Sequence, residues 1–218
     1  MIQACIFDLD GVIVDTAVYH YLAWKRLANE LGFDFTEAQN ERLKGISRMR
    51  SLELILEWGG IRKTAAEQEV LATRKNEWYV EMISHMTPQE ILPGAKAFLE
   101  AARNAGLKTA LGSASKNSSA ILERTKLLPL FDAIVDGNTV TASKPDPEVF
   151  LKGAAALGIA PADCVVFEDA IAGITAARAA GMKAVGIGQQ ETLTGADMVV
   201  PGLQFMSIEK LNKLAANS

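Results

Sequence analysis

The feature that most constrains the fold of this chain is an alternation, after residue 92, of short apolar runs with segments of helical periodicity. The runs LKTALGS (107–113), AIVDG (133–137), CVVFED (164–169) and AVGIG (184–188) have strand length, and QACIF (3–7) supplies another. Several of the helical segments end at a glycine that suits a helix stop: Gly106, Gly158 and Gly181. The alternation predicts an α/β fold, with a doubly wound parallel sheet covered by helices on both faces.

A second region breaks this alternation. The runs VYHYLAWKRLANELG, SLELILEW and EVLATRKNEWYVEMI have helical spacing and contain no strand-like segment. We therefore predict a helical cap domain at 16–91, inserted into a core domain formed by 1–15 and 92–218. The apolar face of the first helix is predicted to contain Val18, Tyr21, Leu22, Leu27, Ala28 and Leu31, and packing within this region is predicted for Trp24, Trp58, Trp78 and Tyr79.

Composition excludes several classes of function. The 218 residues carry a net charge of −4 and a sequence pI of about 5.3, so no basic surface indicates nucleic acid or acidic lipid. No apolar run approaches the roughly 20 residues of a membrane span, and the N-terminus lacks the features of a signal peptide. Cys5 and Cys164 lie in apolar runs, which predicts buried, unpaired thiols. We expect a cytoplasmic monomer that binds neither nucleic acid nor membranes.

Charged and hydroxyl side chains follow the ends of the predicted strands. Asp8 and Asp10 come directly after the first strand, and Glu168 and Asp169 end the fourth predicted run. Ligands of such sheets lie beyond the carboxyl ends of the strands, so these residues are predicted to converge with Ser113, Ala114 and Lys144. Carboxylates this close repel one another unless a cation lies between them. The set is typical of a site for magnesium and phosphate.

This composition predicts phosphoryl transfer. With a metal bound, Asp8 stays ionised and acts as a nucleophile that forms an aspartyl-phosphate. Asp10 is then available for proton transfer to the leaving oxygen and from the incoming hydroxyl. Lys144, the Ser113 hydroxyl and the backbone N–H of Ala114 provide donors for the transferring phosphate.

The segments FDLDGVIVDT, LGSAS, SKPDP and VVFEDAIAGITAARAAG resemble the four motifs of the haloacid dehalogenase-like superfamily. The stretches DTAVYHYLAWKRLANELG, LKGISRMRSLELIL and ATRKNEWYVEMI resemble its β-phosphoglucomutase subgroup. The resemblance implies one Mg²⁺ per subunit, held by Asp8, Asp10 through its carbonyl, Glu168 and Asp169. The phosphate-binding and substrate-binding residues that it implies are Thr16, His20, Lys44, Gly45, Arg48, Ser51, Lys75, Ser113, Ala114, Ser115 and Lys144.

The activity implied by the resemblance is an isomerase reaction. It interconverts β-D-glucose 1-phosphate and D-glucose 6-phosphate through the phosphorylated enzyme and β-D-glucose 1,6-bisphosphate, which is both intermediate and activator. The alternatives are a sugar-phosphate phosphatase of the same superfamily and a non-catalytic protein that binds phosphorylated sugars. Dehalogenase chemistry is disfavoured because that subgroup lacks the second aspartate of the first motif, here Asp10.

Overall fold

A computed structural model of the chain describes residues 1–216. Its strands are β1 (Ala4–Phe7), β2 (Lys108–Gly112), β3 (Ala133–Val135), β4 (Cys164–Glu168), β5 (Lys183–Ile187) and β6 (Met198–Val200). They form a six-stranded sheet in the order β3-β2-β1-β4-β5-β6, and each neighbouring pair is parallel. This order is typical of doubly wound sheets, so the predicted fold class is confirmed.

Four helices lie within residues 16–91, namely α1 (Ala17–Glu30), α2 (Glu37–Glu41), α3 (Arg48–Trp58) and α4 (Ala65–Ile83). The others accompany the sheet: α5 (Ala95–Asn104), α6 (Ser118–Arg124), α7 (Glu148–Leu157), α8 (Ile171–Ala179) and α9 (Ile208–Ala216). The three glycines predicted to stop helices follow α5, α7 and α8, and all have positive φ angles. Within residues 1–216, no helix is long and apolar enough to span a membrane.

The sheet packs on both faces, as the alternation of side chains in β1 shows. Cys5 and Phe7 point into one hydrophobic cluster, and Ala4 and Ile6 point into the other. Phe7 stacks on Phe167 of β4, with ring centroids 4.7 Å apart. Because both faces are covered, β1 is apolar throughout and lies at the centre of the core. Cys5 and Cys164 are buried and unpaired, as predicted.

A third hydrophobic cluster belongs to the region of helices α1 to α4. It includes Trp24 and Leu27 of α1, Leu52 and Ile55 of α3, and Leu71 of α4. The predicted apolar face of α1 is partly wrong, because Val18 and Leu22 are each 47% exposed. The buried stripe of α1 runs instead through Ala23, Trp24, Leu27 and Ala28. This stripe faces α4 and α2.

The sequence analysis did not predict β6 or α9. Strand β6 has only three residues, Met198–Val200, and lies at the edge of the sheet beside β5. So short an apolar run gives no usable period, and its pairing depends on the neighbouring strand. Helix α9 has a recognisable amphipathic pattern, and its Leu211 and Leu214 join the same cluster as Phe7.

Candidate active site

The central strands bring the predicted site residues of the core domain side by side. Phe7 is paired with Leu111 of β2 and with Phe167 of β4, so the chain leaves all three strands at one level. The backbone N–H of Asp8 continues this ladder by donating to the Phe167 carbonyl at 2.9 Å. Asp8 therefore lies between Gly112, the residue before Ser113, and Glu168, at the carboxyl edge of the sheet.

A buried ion triad lies at the centre of this edge. The Lys144 ammonium is 2.6 Å from Asp8 Oδ1 and 2.8 Å from Glu168 Oε2. All three residues are buried. Burial by itself disfavours the charge on Lys144, but the two carboxylates outweigh it and raise the pKa of this lysine above its ordinary value.

The carboxylates of Asp8, Glu168 and Asp169 form a cluster whose oxygens lie within 4.8 Å of one another. Burial raises the pKa of Glu168 to about 8 and that of Asp169 to about 6. Gly11, with φ of +81°, allows the Asp169 carboxylate to lie against the backbone where any Cβ would clash. Keeping three neighbouring buried carboxylates charged costs free energy unless a cation binds between them. Carboxylate oxygens are also the ligands that divalent cations such as Mg²⁺ prefer, so these residues fit the metal that the family implies.

Asp10 belongs to a second network, which reaches into the helical region. It accepts a hydrogen bond from the Thr16 hydroxyl, and His20 Nε2 lies 4.0 Å from its Oδ1. Lys75 Nζ is 3.1 Å from His20 Nδ1. Burial lowers the pKa of His20, and the charges of Lys75 and Arg48 lower it further, so the ring is neutral. When Nδ1 accepts a hydrogen bond from Lys75, the ring proton is on Nε2 and faces Asp10.

The pKa of Asp10 is raised to about 7, first by burial and then by the charge of Asp8. A carboxyl group with a pKa near neutrality can both donate and accept a proton at physiological pH. Asp8 and Asp10 therefore have different surroundings although they are two residues apart. Asp8 contacts an ammonium group, whereas Asp10 contacts a hydroxyl and an imidazole.

These groups line one cleft of about 430 Å³ between the sheet edge and the helical region. The predicted site residues on its wall are Asp8, Asp10, His20, Lys44, Gly45, Arg48, Ser51, Lys75, Ala114, Ser115, Lys144 and Asp169. The other three, Thr16, Ser113 and Glu168, are buried immediately behind it. The structure thus brings together every residue that the sequence singled out, although it does not test their roles.

The loop after β2 forms one side of the cleft. Ser113 Oγ accepts from the Ser115 N–H at 3.1 Å, and the Ser118 hydroxyl donates to the Ser115 carbonyl at 2.8 Å. These bonds hold the loop in a tight turn at the start of α6. Ala114 and Lys144 both line the cleft.

The sequence analysis missed several residues that line the cleft. Lys116 and Asn117 directly follow Ser115, and this contiguity was an available signal. Asn76 and Tyr79 lie on the α4 face that carries Lys75, which the i, i+4 spacing of Lys75 and Tyr79 indicates. Asn117 Nδ2 donates to Asn76 Oδ1 at 3.0 Å, so one hydrogen bond crosses the cleft. Trp24 and Tyr79 were expected only to pack, but both also line the cleft.

Comparisons with known proteins identify relatives whose names describe enzymes that act on sugar phosphates. A family profile described as haloacid dehalogenase-like hydrolase matches residues 2–181. A β-phosphoglucomutase of Bacillus subtilis (strain 168) is 48% identical over 213 residues, covering 97% of this chain and 94% of that protein. A phosphorylated carbohydrates phosphatase of Thermotoga maritima is 31% identical over 185 residues, covering 84% of this chain and 83% of that protein.

A solved structure extends the comparison to three dimensions. The 2.27 Å crystal structure of a β-phosphoglucomutase from Clostridium difficile matches with a TM-score of 0.96 and 42% identity, covering 100% of this chain and 98% of that one. The similarity therefore includes the helical region as well as the sheet, and the resemblance inferred from the motifs is confirmed. The chain belongs to the haloacid dehalogenase-like hydrolases and, within them, to the β-phosphoglucomutase subgroup.

Proposed function

We propose that this chain is a β-phosphoglucomutase, an enzyme that interconverts β-D-glucose 1-phosphate and D-glucose 6-phosphate. One observation carries the proposal: Asp8 and Asp10 line a cleft to which the helical region contributes Lys44, Arg48 and Lys75 against a single carboxylate, Glu69, so its contribution is mainly basic. This basic charge complements the phosphate of a sugar phosphate. The 48% identity to a β-phosphoglucomutase over nearly the whole chain supports the same function.

The reaction takes place in two half-reactions at Asp8. A carboxylate oxygen of Asp8 attacks the phosphorus of the bisphosphate, the bond from phosphorus to the sugar oxygen breaks, and Asp10 gives that oxygen its proton. In the reverse sense, a hydroxyl of the other sugar phosphate attacks phospho-Asp8, and Asp10 takes the hydroxyl proton. The phosphoryl group is thereby moved between O1 and O6, and β-D-glucose 1,6-bisphosphate is the intermediate and the activator.

We propose one Mg²⁺ per chain as the cofactor. Asp8, Glu168 and Asp169 would hold it through carboxylate oxygens, together with the backbone carbonyl of Asp10. When bound, the cation supplies positive charge that stabilises the transferring phosphoryl oxygens. Lys144, the Ser113 hydroxyl and the Ala114 N–H donate to the same oxygens. Arg48 and Ser115, with Lys116 and Asn117 beside them, lie where they can bind the second phosphate.

We propose that residues 16–91 act as a cap domain over the core formed by 1–15 and 92–218. The two connections between these parts run side by side: Asp15 N–H donates to the Glu90 carbonyl, and Leu92 N–H donates to the Ile13 carbonyl, both at 3.0 Å. The cap contacts the core where Lys44 Nζ lies 3.2 Å from Asp169 Oδ2 and where Asn76 meets Asn117. A closed cap excludes water, so that a sugar hydroxyl is the preferred acceptor of the phosphoryl group.

Phosphorus NMR tests the proposed function directly. The purified protein is incubated with Mg²⁺, β-D-glucose 1-phosphate and a trace of β-D-glucose 1,6-bisphosphate. We expect stoichiometric conversion to glucose 6-phosphate with little inorganic phosphate. A control without the bisphosphate should show a lag or a much lower rate.

Two other functions are distinguished by the same measurement. A sugar-phosphate phosphatase is the second candidate, because a phosphatase of phosphorylated carbohydrates is 31% identical to this chain. It would release inorganic phosphate as the main product. A non-catalytic sugar-phosphate binder would give no turnover, and Asp10→Asn would then leave ligand binding and the NMR spectrum unchanged. The monomeric state and the cytoplasmic location remain predictions.

A further inference from the structure

The loop after β3 lies against the loop after β2, which forms one side of the cleft. We call residues 136–139 the β3 loop and residues 113–117 the β2 loop. The Gly137 N–H donates to the Ser115 carbonyl at 3.1 Å. The side-chain Nδ2 of Asn138 donates to the Lys116 carbonyl at 2.9 Å. Two consecutive carbonyls of the β2 loop therefore have their partners in the β3 loop.

The buried Asp136 side chain fixes the position of Asn138. Its Oδ1 accepts from the Asn138 backbone N–H at 2.9 Å, which is a common turn-forming bond. Its Oδ2 accepts from Asn138 Nδ2 at 3.0 Å. An amide nitrogen carries two protons, and here one is donated to Asp136 and the other to Lys116. Both partners are acceptors, so only the nitrogen end of the Asn138 amide can satisfy them.

The two loops are in close contact along most of the β2 loop. The Ser113 N–H donates to the Val135 carbonyl at 3.0 Å, which continues the pairing of β2 with β3. A Cβ at Gly137 would lie only 2.4 Å from the Ala114 carbonyl oxygen, so a glycine allows the backbones to approach this closely. The bond from Asn138 to Lys116 extends this support to the residues that lead into α6.

One peptide unit of the β2 loop is held at both ends. Asn138 holds the carbonyl of Lys116, and the N–H of Asn117 in the same peptide unit donates to Ser115 Oγ at 3.2 Å. Because a peptide unit is planar, these two bonds together fix its orientation. Ser115, Lys116 and Asn117 all line the cleft, whereas Asn138 does not.

We propose that Asn138 is a positioning residue for the part of the cleft that binds the second phosphate of the ligand. It acts through the Lys116 carbonyl and does not touch the ligand itself. That Ser115, Lys116 and Asn117 bind this phosphate rests on the proposed function, whereas the support of their loop by Asn138 does not.

The proposal predicts a loss that is confined to the second phosphate. When Asp8 carries the phosphoryl group, the phosphate of β-D-glucose 1-phosphate has to lie elsewhere, and the β2 loop is the proposed place. This phosphate does not react, so its contacts contribute equally to the ground state and the transition state. Asn138→Ala should therefore raise KM for β-D-glucose 1-phosphate about five- to tenfold, as expected for one hydrogen bond, and leave kcat within about twofold of wild type.

The experiment compares wild type with Asn138→Ala and with the matched control Asn104→Ala, which changes an exposed asparagine at the end of α5. Steady-state rates are measured with Mg²⁺ and saturating bisphosphate at varied concentrations of β-D-glucose 1-phosphate. A second measurement follows the phosphorylation of Asp8 by acetyl phosphate, using mass spectrometry. Acetyl phosphate carries a single phosphate, so this reaction does not require the second phosphate site.

We expect Asn138→Ala to have a higher KM and to be phosphorylated by acetyl phosphate at the wild-type rate. Asn104→Ala should match wild type in both measurements. A wild-type KM in Asn138→Ala would overturn the inference. An equal loss in both reactions would also overturn it, because the substitution would then disturb the whole core side of the cleft.

The same data separate this inference from the proposed function. If wild type is phosphorylated by acetyl phosphate but does not convert β-D-glucose 1-phosphate, the proposed function fails, and the inference fails with it because it names that ligand. If wild type converts the sugar phosphate and Asn138→Ala has an unchanged KM, only the inference fails.

Discussion

The two walls of the cleft differ in charge and in the structure that carries them. The core wall presents mainly carboxylates at the ends of strands or in loops next to them: Asp8, Asp10 and Asp169 line the cleft beside Lys144, and Glu168 lies buried behind them. The insertion wall presents mainly basic groups on helices or on the loop before α3, namely His20, Lys44, Arg48 and Lys75, with Glu69 as its one acidic member among the described residues. Strand ends are fixed relative to one another by the hydrogen bonds of the sheet, which suits groups that must meet one phosphorus atom. By contrast, the helices of the insertion, α1 to α4, are joined to the core by the two chain connections near residues 15 and 91.

The comparison shows how recognition and chemistry are divided between the two walls. The core wall tolerates its carboxylates because Lys144 pairs with two of them and because the family binds a divalent metal there. The insertion wall carries Lys75 buried over the rings of Trp24 and Tyr79, and no carboxylate among residues 1–216 forms an ion pair with it. An anionic ligand between the walls would give Lys75 a partner of opposite charge.

The largest effect is expected on the core wall. Asp8→Asn removes the proposed nucleophile, so the rate of interconversion should fall about 10⁴-fold or more. Mass spectrometry should also show no phosphorylated protein after incubation with the bisphosphate. Asp34→Asn, which changes an exposed aspartate of the insertion, should retain wild-type activity. Residual turnover above a hundredth of wild type in Asp8→Asn would contradict the assignment.

The next effect concerns the stability of the core wall. Lys144→Met leaves the buried Asp8 and Glu168 without their ammonium partner, so the free energy of unfolding should decrease by about 3–5 kcal/mol in a metal chelator. Urea denaturation measures this change. The control is Lys152→Met, whose exposed lysine pairs with Glu148 at 2.7 Å and should contribute less than about 1 kcal/mol. Equal stability of both variants would mean that the ion triad is dispensable for folding.

A pH dependence distinguishes the insertion wall. Burial, then the charge of Arg48, lowers the pKa of Lys75 to about 7. The unfolded chain, with a lysine pKa of about 10.4, binds more protons between about pH 7 and pH 10, so this residue should make stability rise with pH in that window. The rise should be on the order of 4 kcal/mol, because one pKa unit corresponds to about 1.4 kcal/mol.

Lys75→Met should remove this rise, and Lys96→Met, which changes an exposed lysine of α5, should keep it. Chemical denaturation of the ligand-free proteins at several pH values measures the difference. A wild-type curve that is parallel to that of Lys75→Met would show that Lys75 keeps an ordinary pKa in the folded protein.

The smallest effect concerns the contact between the two walls. Lys44 Nζ pairs with Asp169 Oδ2 at 3.2 Å, so it competes with a cation for one of the proposed metal ligands. Lys44→Met should therefore raise the affinity for Mg²⁺ about three- to tenfold, measured by calorimetry without substrate. The matched control is Lys63→Met. The Lys63 side chain has the same 31% exposure as that of Lys44, but it pairs with Glu67 inside the insertion. A lower Mg²⁺ affinity in Lys44→Met would contradict the competition.

Much of the core wall was predictable because each of its residues lies in a recognisable local motif. A strand that runs into Asp8 and Asp10, and another that runs into Glu168 and Asp169, can be identified without knowledge of the fold. Parallel pairing then brings their ends together. The insertion wall was predicted only through its family resemblance, because Arg48 and Lys75 lie in helices rich in charge, where an exposed face is the usual explanation.

The sequence by itself determined the fold class and the identity of the acidic residues at the strand ends, because hydrophobic period and motif order are local properties of the chain. Only the tertiary structure decided which side chains meet: Lys144 and Asp8 are 136 positions apart, and Lys75 and His20 are 55 apart. The physical reason is that burial and charge pairing depend on distances through space, and these distances are fixed only when the helices pack against the sheet.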